Sequence, residues 1–153
     1  MKKALAIAGA LALAVTPAVS FAGHLEPKES EIRPAGDLSH TNLSGRFLRG
    51  RNLNLANLSS ANLTNATLYR ANLTGANLRG AVLTGASLNR ANLTGANLRG
   101  AVLTGTSLNR ADLTGADMNS ALLNNRTIAS NLRGCPSSLP SGWFCKNRSL
   151  IQR

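Results

Sequence analysis

The sequence predicts an all-β solenoid, a chain that turns a corner every five residues and closes one coil every twenty. Three observations carry this. From Leu38 to Ile128 every fifth residue is Leu, Met or Ile. Two residues before each such position from Leu58 to Leu123 stands Ala, with Thr106 the one exception. Residues 71–90, ANLTGANLRGAVLTGASLNR, return at 91–110 with a single change, Ala86 against Thr106. A period of five fits neither the helical repeat of about 3.6 nor the strand repeat of about 2. It suits short extended pieces joined by corners, and a whole-coil duplication of twenty residues is what four corners per coil would give.

The unit reads A-[ND]-L-x-x, as in Ala71-Asn72-Leu73-Thr74-Gly75. Ala and Leu point inward, and the residue between them faces out. The last two residues make the turn, where Gly75, Gly80, Gly85, Gly95, Gly100, Gly105 and Gly115 supply the positive φ that a type II turn requires. This pattern resembles the pentapeptide-repeat family over about residues 36–130. The resemblance implies a right-handed quadrilateral β-helix with Leu columns inside and coils stacked at about the 4.8 Å strand spacing. Stability then grows by neighbour stacking and needs few large aromatic side chains. Arg46, Arg51 and Arg126 fall where the small inward residue belongs, and a buried unpaired guanidinium is costly. The regular core is therefore expected over 56–125, with 36–55 as a looser first coil.

The chain divides into four segments. Residues 1–22 read as a secretory signal, with Lys2 and Lys3 ahead of an apolar run from Ala4 to Val15, then Pro17 and the small residues Ala18, Ser20 and Ala22. Cleavage is expected after Ala22, with Ser20 as the alternative, which places the mature chain in the periplasm or outside the cell. Residues 23–35 are charged and Pro-containing, and read as a flexible lead-in or loose cover. Residues 36–130 are the repeat. Residues 131–153 drop it and read as a C-terminal cap. Its two cysteines, Cys135 and Cys145, are expected to form one disulfide in an exported chain. Leu139, Trp143, Leu150 and Ile151 are available to cover the last coil.

The 153 residues carry 17 Lys+Arg against 6 Asp+Glu, a formal charge of +11, which becomes +9 once Lys2 and Lys3 leave with the signal. That balance suits polyanionic partners, while 3% aromatic residues argue against a base-stacking nucleic-acid binder. Residues twenty apart stack, so Arg70, Arg90 and Arg110 form one column and Arg79 and Arg99 a second about two faces away. Two readings stand: an anion-binding ladder, or a solvated face copied when the coil was duplicated. Val82, Val102 and Leu122 form an outward aliphatic column, either a partner or weak homo-oligomer surface or a tolerated β-rich face. The Asn columns (Asn52, Asn57, Asn62; Asn72, Asn92; Asn77, Asn97) read as hydrogen-bonded ladders.

No catalytic constellation stands out. The repeat offers Asp37, Asp112, Asp117 and His40, with no nucleophile–base pairing. A metal site at the two cysteines lacks nearby ligands, since His24 and His40 lie far upstream. No cofactor is expected. The family resemblance also implies a possible role in protecting DNA gyrase by mimicking duplex DNA, but that needs an acidic surface and this one is basic. Two functions remain: a structural or protein-interaction module with an unidentified protein partner, and a binder of envelope lipid phosphate, cell-wall polymer or DNA through the Arg columns.

Overall fold

A computed structural model describes residues 32–153. The signal segment 1–22 and residues 23–31 of the lead-in lie outside the described residues. The five-residue unit appears throughout as one bridge residue, two inward neighbours and a turn. Each bridge residue pairs in parallel with the residue one coil on, in four columns. The first runs Asp37, Asn57, Asn77, Asn97, Asp117 and Ser138. The second runs Asn42, Asn62, Val82, Val102 and Leu122. The third runs Phe47, Thr67, Ser87, Ser107 and Ile128, and the fourth Asn52, Asn72, Asn92, Asp112 and Gly134. Four columns make the four-sided coil that the twenty-residue duplication implies.

Backbone amides do the stacking. Within each repeat the central residue's carbonyl accepts the amide three residues on, as in Ala76 N–H to Leu73 at 3.0 Å, which closes the corner. Between coils, Leu73 donates to Asn92 at 2.7 Å and Asn92 to Ala71 at 2.9 Å. The interior is a column of Leu and Ala side chains, almost all of them fully buried from Leu53 to Met118. Burying each Leu contributes roughly 1.5–3 kcal/mol.

The first coil is not looser than the rest. Residues 37–52 make the same bridges to the second coil, and Leu38, Leu43, Leu48 and Leu53 are buried. The expectation of a loose coil rested on Arg46 and Arg51 having to be buried. They are not: Arg46 is half-buried and Arg51 exposed. Ile32, at the end of the lead-in, joins the core and is buried.

The second correction is one of register. A residue is inserted in the turn at Asn124-Asn125-Arg126, so Ser107 pairs with Ile128 rather than with residue 127. Ile128 therefore takes the outward place and is 52% exposed, while Ala129 takes the inward one. Arg126 lies exposed in the widened turn, not at an inward position. Thr127 fills that position and donates to the Leu103 carbonyl at 2.8 Å. Parallel pairing then continues to Ser138.

The chain ends in an antiparallel hairpin of strands β1 (Trp143–Lys146) and β2 (Ser149–Gln152). Asn147 and Arg148, both at positive φ, form its two-residue turn. Leu150 donates to Ala129 at 2.9 Å, and Leu132 to Arg148 at 2.9 Å, so the hairpin continues the stack. Leu150 is buried in the core, with Leu139, Trp143 and Cys145 packed against it. Cys135 and Cys145 are disulfide-bonded.

Candidate functional site: an arginine-lined cleft

The corner between the third and fourth faces ends, coil by coil, in Gly50, Arg70, Arg90, Arg110 and Asn131. All five have positive φ. Glycine is the residue that this backbone suits, and an L-residue there costs about 1 kcal/mol or more. At this corner arginine stands in that conformation three times in succession, at φ of 57°, 59° and 58°.

These three side chains line a cleft of about 710 Å³ together with Asn131, Arg133 and Arg148. Asn131 takes the place one rung beyond Arg110, whose amide donates to Ser130. Arg148 arrives from the hairpin turn above. Its Nε donates to the Leu132 carbonyl at 2.6 Å. Five guanidiniums thus face one space. Among the described residues none of the five lies within ion-pair distance of a carboxylate; the one ion pair seen is Arg99 to Asp117 at 3.3 Å. Neighbouring rungs stand about 4.8 Å apart, so like charges on adjacent rungs repel unless screened or bridged by an anion.

Part of that repulsion is offset by Tyr69. The guanidiniums of Arg49, Arg70 and Arg90 lie 4.9, 5.4 and 5.9 Å from its ring centroid, within cation–π range. Asn89 and Asn109, in the column above Tyr69, hold the turns from outside. Asn89 Oδ1 accepts from Asn109 N–H at 2.9 Å and from Ser107 Oγ at 2.7 Å, and Asn109 Oδ1 accepts from Ser130 Oγ at 2.7 Å.

The structure thus brings the Arg70, Arg90 and Arg110 column together and treats the second column differently. Arg79 and Arg99 stand at the diagonally opposite corner, away from this cleft, and Arg99 is paired with Asp117. Asp117 itself is held below the usual carboxylate pKa, first by the Ser138 hydroxyl, then by the Asn119 amide and Arg99. Val82, Val102 and Leu122 do stack as one outward column, with Leu122 57% exposed. Asn side chains bond between coils at Asn72 to Asn52 and Asn77 to Asn57, both at 3.1 Å; among the described residues the expected ladders Asn72 to Asn92 and Asn77 to Asn97 do not form, and Asn52, Asn57 and Asn62 lie on three different faces. Most of these Asn side chains also accept the amide two residues on, as Asn72 does from Thr74, which fixes the turn.

Sequence reasoning missed Arg133, Arg148 and Asn131, because they lie beyond the repeat. Asn131 was within reach of column counting once the inserted residue at the Asn124 turn is allowed for. Arg133 and Arg148 obey no period, and only the path of the tail places them. Tyr69 could have been found, since it stands one coil above Arg49. Among the described residues no group of His, Cys, Asp or Glu side chains is placed to hold a metal ion.

Comparison with known proteins agrees with the geometry. A family model for pentapeptide repeats matches in eight copies, over residues 37–75, 61–100 and 86–125. Among solved structures, the chain is similar to the pentapeptide repeat protein Rfr23 from the cyanobacterium Cyanothece 51142. The identity is 39%, the TM-score 0.53, and the match covers 61% of this chain and 60% of that one. It is also similar to alr5209, a pentapeptide repeat protein from Nostoc Pcc 7120, at 35% identity and a TM-score of 0.43, over 58% of this chain and 75% of that one. The chain thus spans three fifths of the first of these proteins. No curated protein matches it. With four stacked bridge columns around a Leu–Ala interior and a repeat model covering more than half its length, this chain belongs to the pentapeptide-repeat family.

Proposed function

We propose that this protein is an exported, non-enzymatic binding scaffold whose ligand surface is the arginine-lined cleft, and that its ligand is a polyanion. The observation that carries this reading is the convergence of Arg70, Arg90, Arg110, Arg133 and Arg148 on one space. A solvated face copied by duplication accounts for Arg90 and Arg110. It does not account for Arg133 and Arg148, which reach the same place from outside the repeat. In this reading the hairpin acts as a cap on the last coil and also completes the site. The exported location rests on the signal-like residues 1–22 and suits a chain stapled by a disulfide. The test is retention of the intact mature protein on immobilised heparin. Retention that weakens steeply with salt is expected; flow-through at low salt contradicts the reading.

A second reading, a protein-interaction module, is favoured by the Val82, Val102 and Leu122 column. Its aliphatic side chains stack on a face where the coil below carries Asn62. A flat, partly apolar strip of this kind suits docking to a protein partner or to a second copy.

A further inference from the structure

Resting on the cleft reading above, we infer that the cleft is a bounded site for a short oligophosphate, several phosphoryl groups in a row, and not a groove for a long polymer. Four features of the cleft point there. Its volume, about 710 Å³, is that of a small-molecule site. Its charged rungs are in series along the stack: Arg70, Arg90 and Arg110 on successive coils, then Arg133 and Arg148 from the tail. At about 4.8 Å per rung the row is on the order of 15–20 Å long. It ends against the hairpin, because Leu132 and Ala129 hydrogen-bond to Arg148 and Leu150 one level further on. The row is closed at that end, which sets where a bound chain of phosphoryl groups must stop.

The residue type narrows the chemistry. All five cations are arginine and none is lysine. Guanidinium forks pair with phosphate oxygens through two parallel hydrogen bonds, where an ammonium offers only a point charge. Each phosphoryl group brings about one to two negative charges, so three in a row approach the five positive charges of the cleft. A nucleic-acid strand is a poorer fit. No aromatic side chain lines the cleft to stack bases, and the nearby ring of Tyr69 is already faced by Arg49, Arg70 and Arg90.

The oligophosphate could be free or carried on a lipid headgroup, and calorimetry on the oxidised mature protein separates these. Sodium tripolyphosphate is expected to bind at least tenfold more tightly than orthophosphate, and more tightly than a trigalacturonate of similar length that offers only carboxylates. Arg90→Gly and Arg148→Gln are each expected to weaken tripolyphosphate at least tenfold, with circular dichroism and unfolding curves showing the coils intact. Vesicles of phosphatidylcholine containing a bisphosphorylated lipid, against phosphatidylcholine alone, form the second arm. Binding to these vesicles with weak tripolyphosphate binding assigns the headgroup form, and the converse assigns the free form. Equal affinity for tripolyphosphate and orthophosphate, equal affinity for trigalacturonate, or no effect of either substitution overturns the oligophosphate assignment. Salt-sensitive heparin retention persisting alongside such a result would leave the broader polyanion reading in place, so the two fail separately.

Discussion

Thr106 is the one residue that breaks the Ala column, and it is fully buried. Its Oγ1 donates to the Leu83 carbonyl at 2.7 Å, so the hydroxyl that looked out of place in the sequence is satisfied. Thr127 repeats the bond one coil on, to Leu103. Replacing Thr106 with Val keeps the shape and removes the donor. The expected cost is about 1 kcal/mol by urea unfolding; no loss of stability would mean that the bond contributes nothing net. At this scale the sequence was largely legible. Inward Leu and Ala, outward Asn and the positive-φ last position all follow from the five-residue period. What it did not reveal was arginine in the glycine conformation. Nothing in a sequence says that position five must keep φ positive when the glycine is gone, and Arg70, Arg90 and Arg110 do keep it.

The tail is the element that joins stability to binding. The Cys135–Cys145 disulfide ties the segment after Arg133 to strand β1, and the turn after β1 carries Arg148. Replacing both cysteines with Ser is expected to lower stability by about 2–3 kcal/mol. It should also weaken anion binding by freeing two of the five rungs, and unchanged binding would show that the tail does not shape the cleft. The other end of the tail meets Asp117 through Ser138. Because the folded-state pKa of Asp117 is depressed below the ordinary value of 3.8, its contribution to stability is present above that pH. It is lost as pH falls through the lower folded value. Acid titration of unfolding is expected to show a smaller loss in Asp117→Asn than in the unaltered chain, and identical profiles would count against this. Sequence reading recognised a stapled tail but lost the register at the Asn124 turn. Beyond that turn the coil spacing becomes 21, 22 and then 21 residues, at Ile128, Gly134 and Ser138, and a periodic argument has no means of seeing it.

Over the whole molecule, the four-sided coil separates the roles by face and corner. Leu and Ala columns hold the stack, Asn side chains fix turns, one face carries an aliphatic strip, and one corner gathers stacked positive charge. The positive φ of its three arginines is shared by Leu55, Ser60 and Asn65 at the other corners, so what sets this corner apart is its stacked like charge. The most direct test is the salt dependence of heparin affinity for the Arg70→Gly, Arg90→Gly, Arg110→Gly triple variant, in protein shown by unfolding curves to be no less stable than the original. The slope of log affinity against log salt is expected to fall by about three ion equivalents and the affinity to collapse. An unchanged slope and affinity would contradict the polyanion-binding cleft.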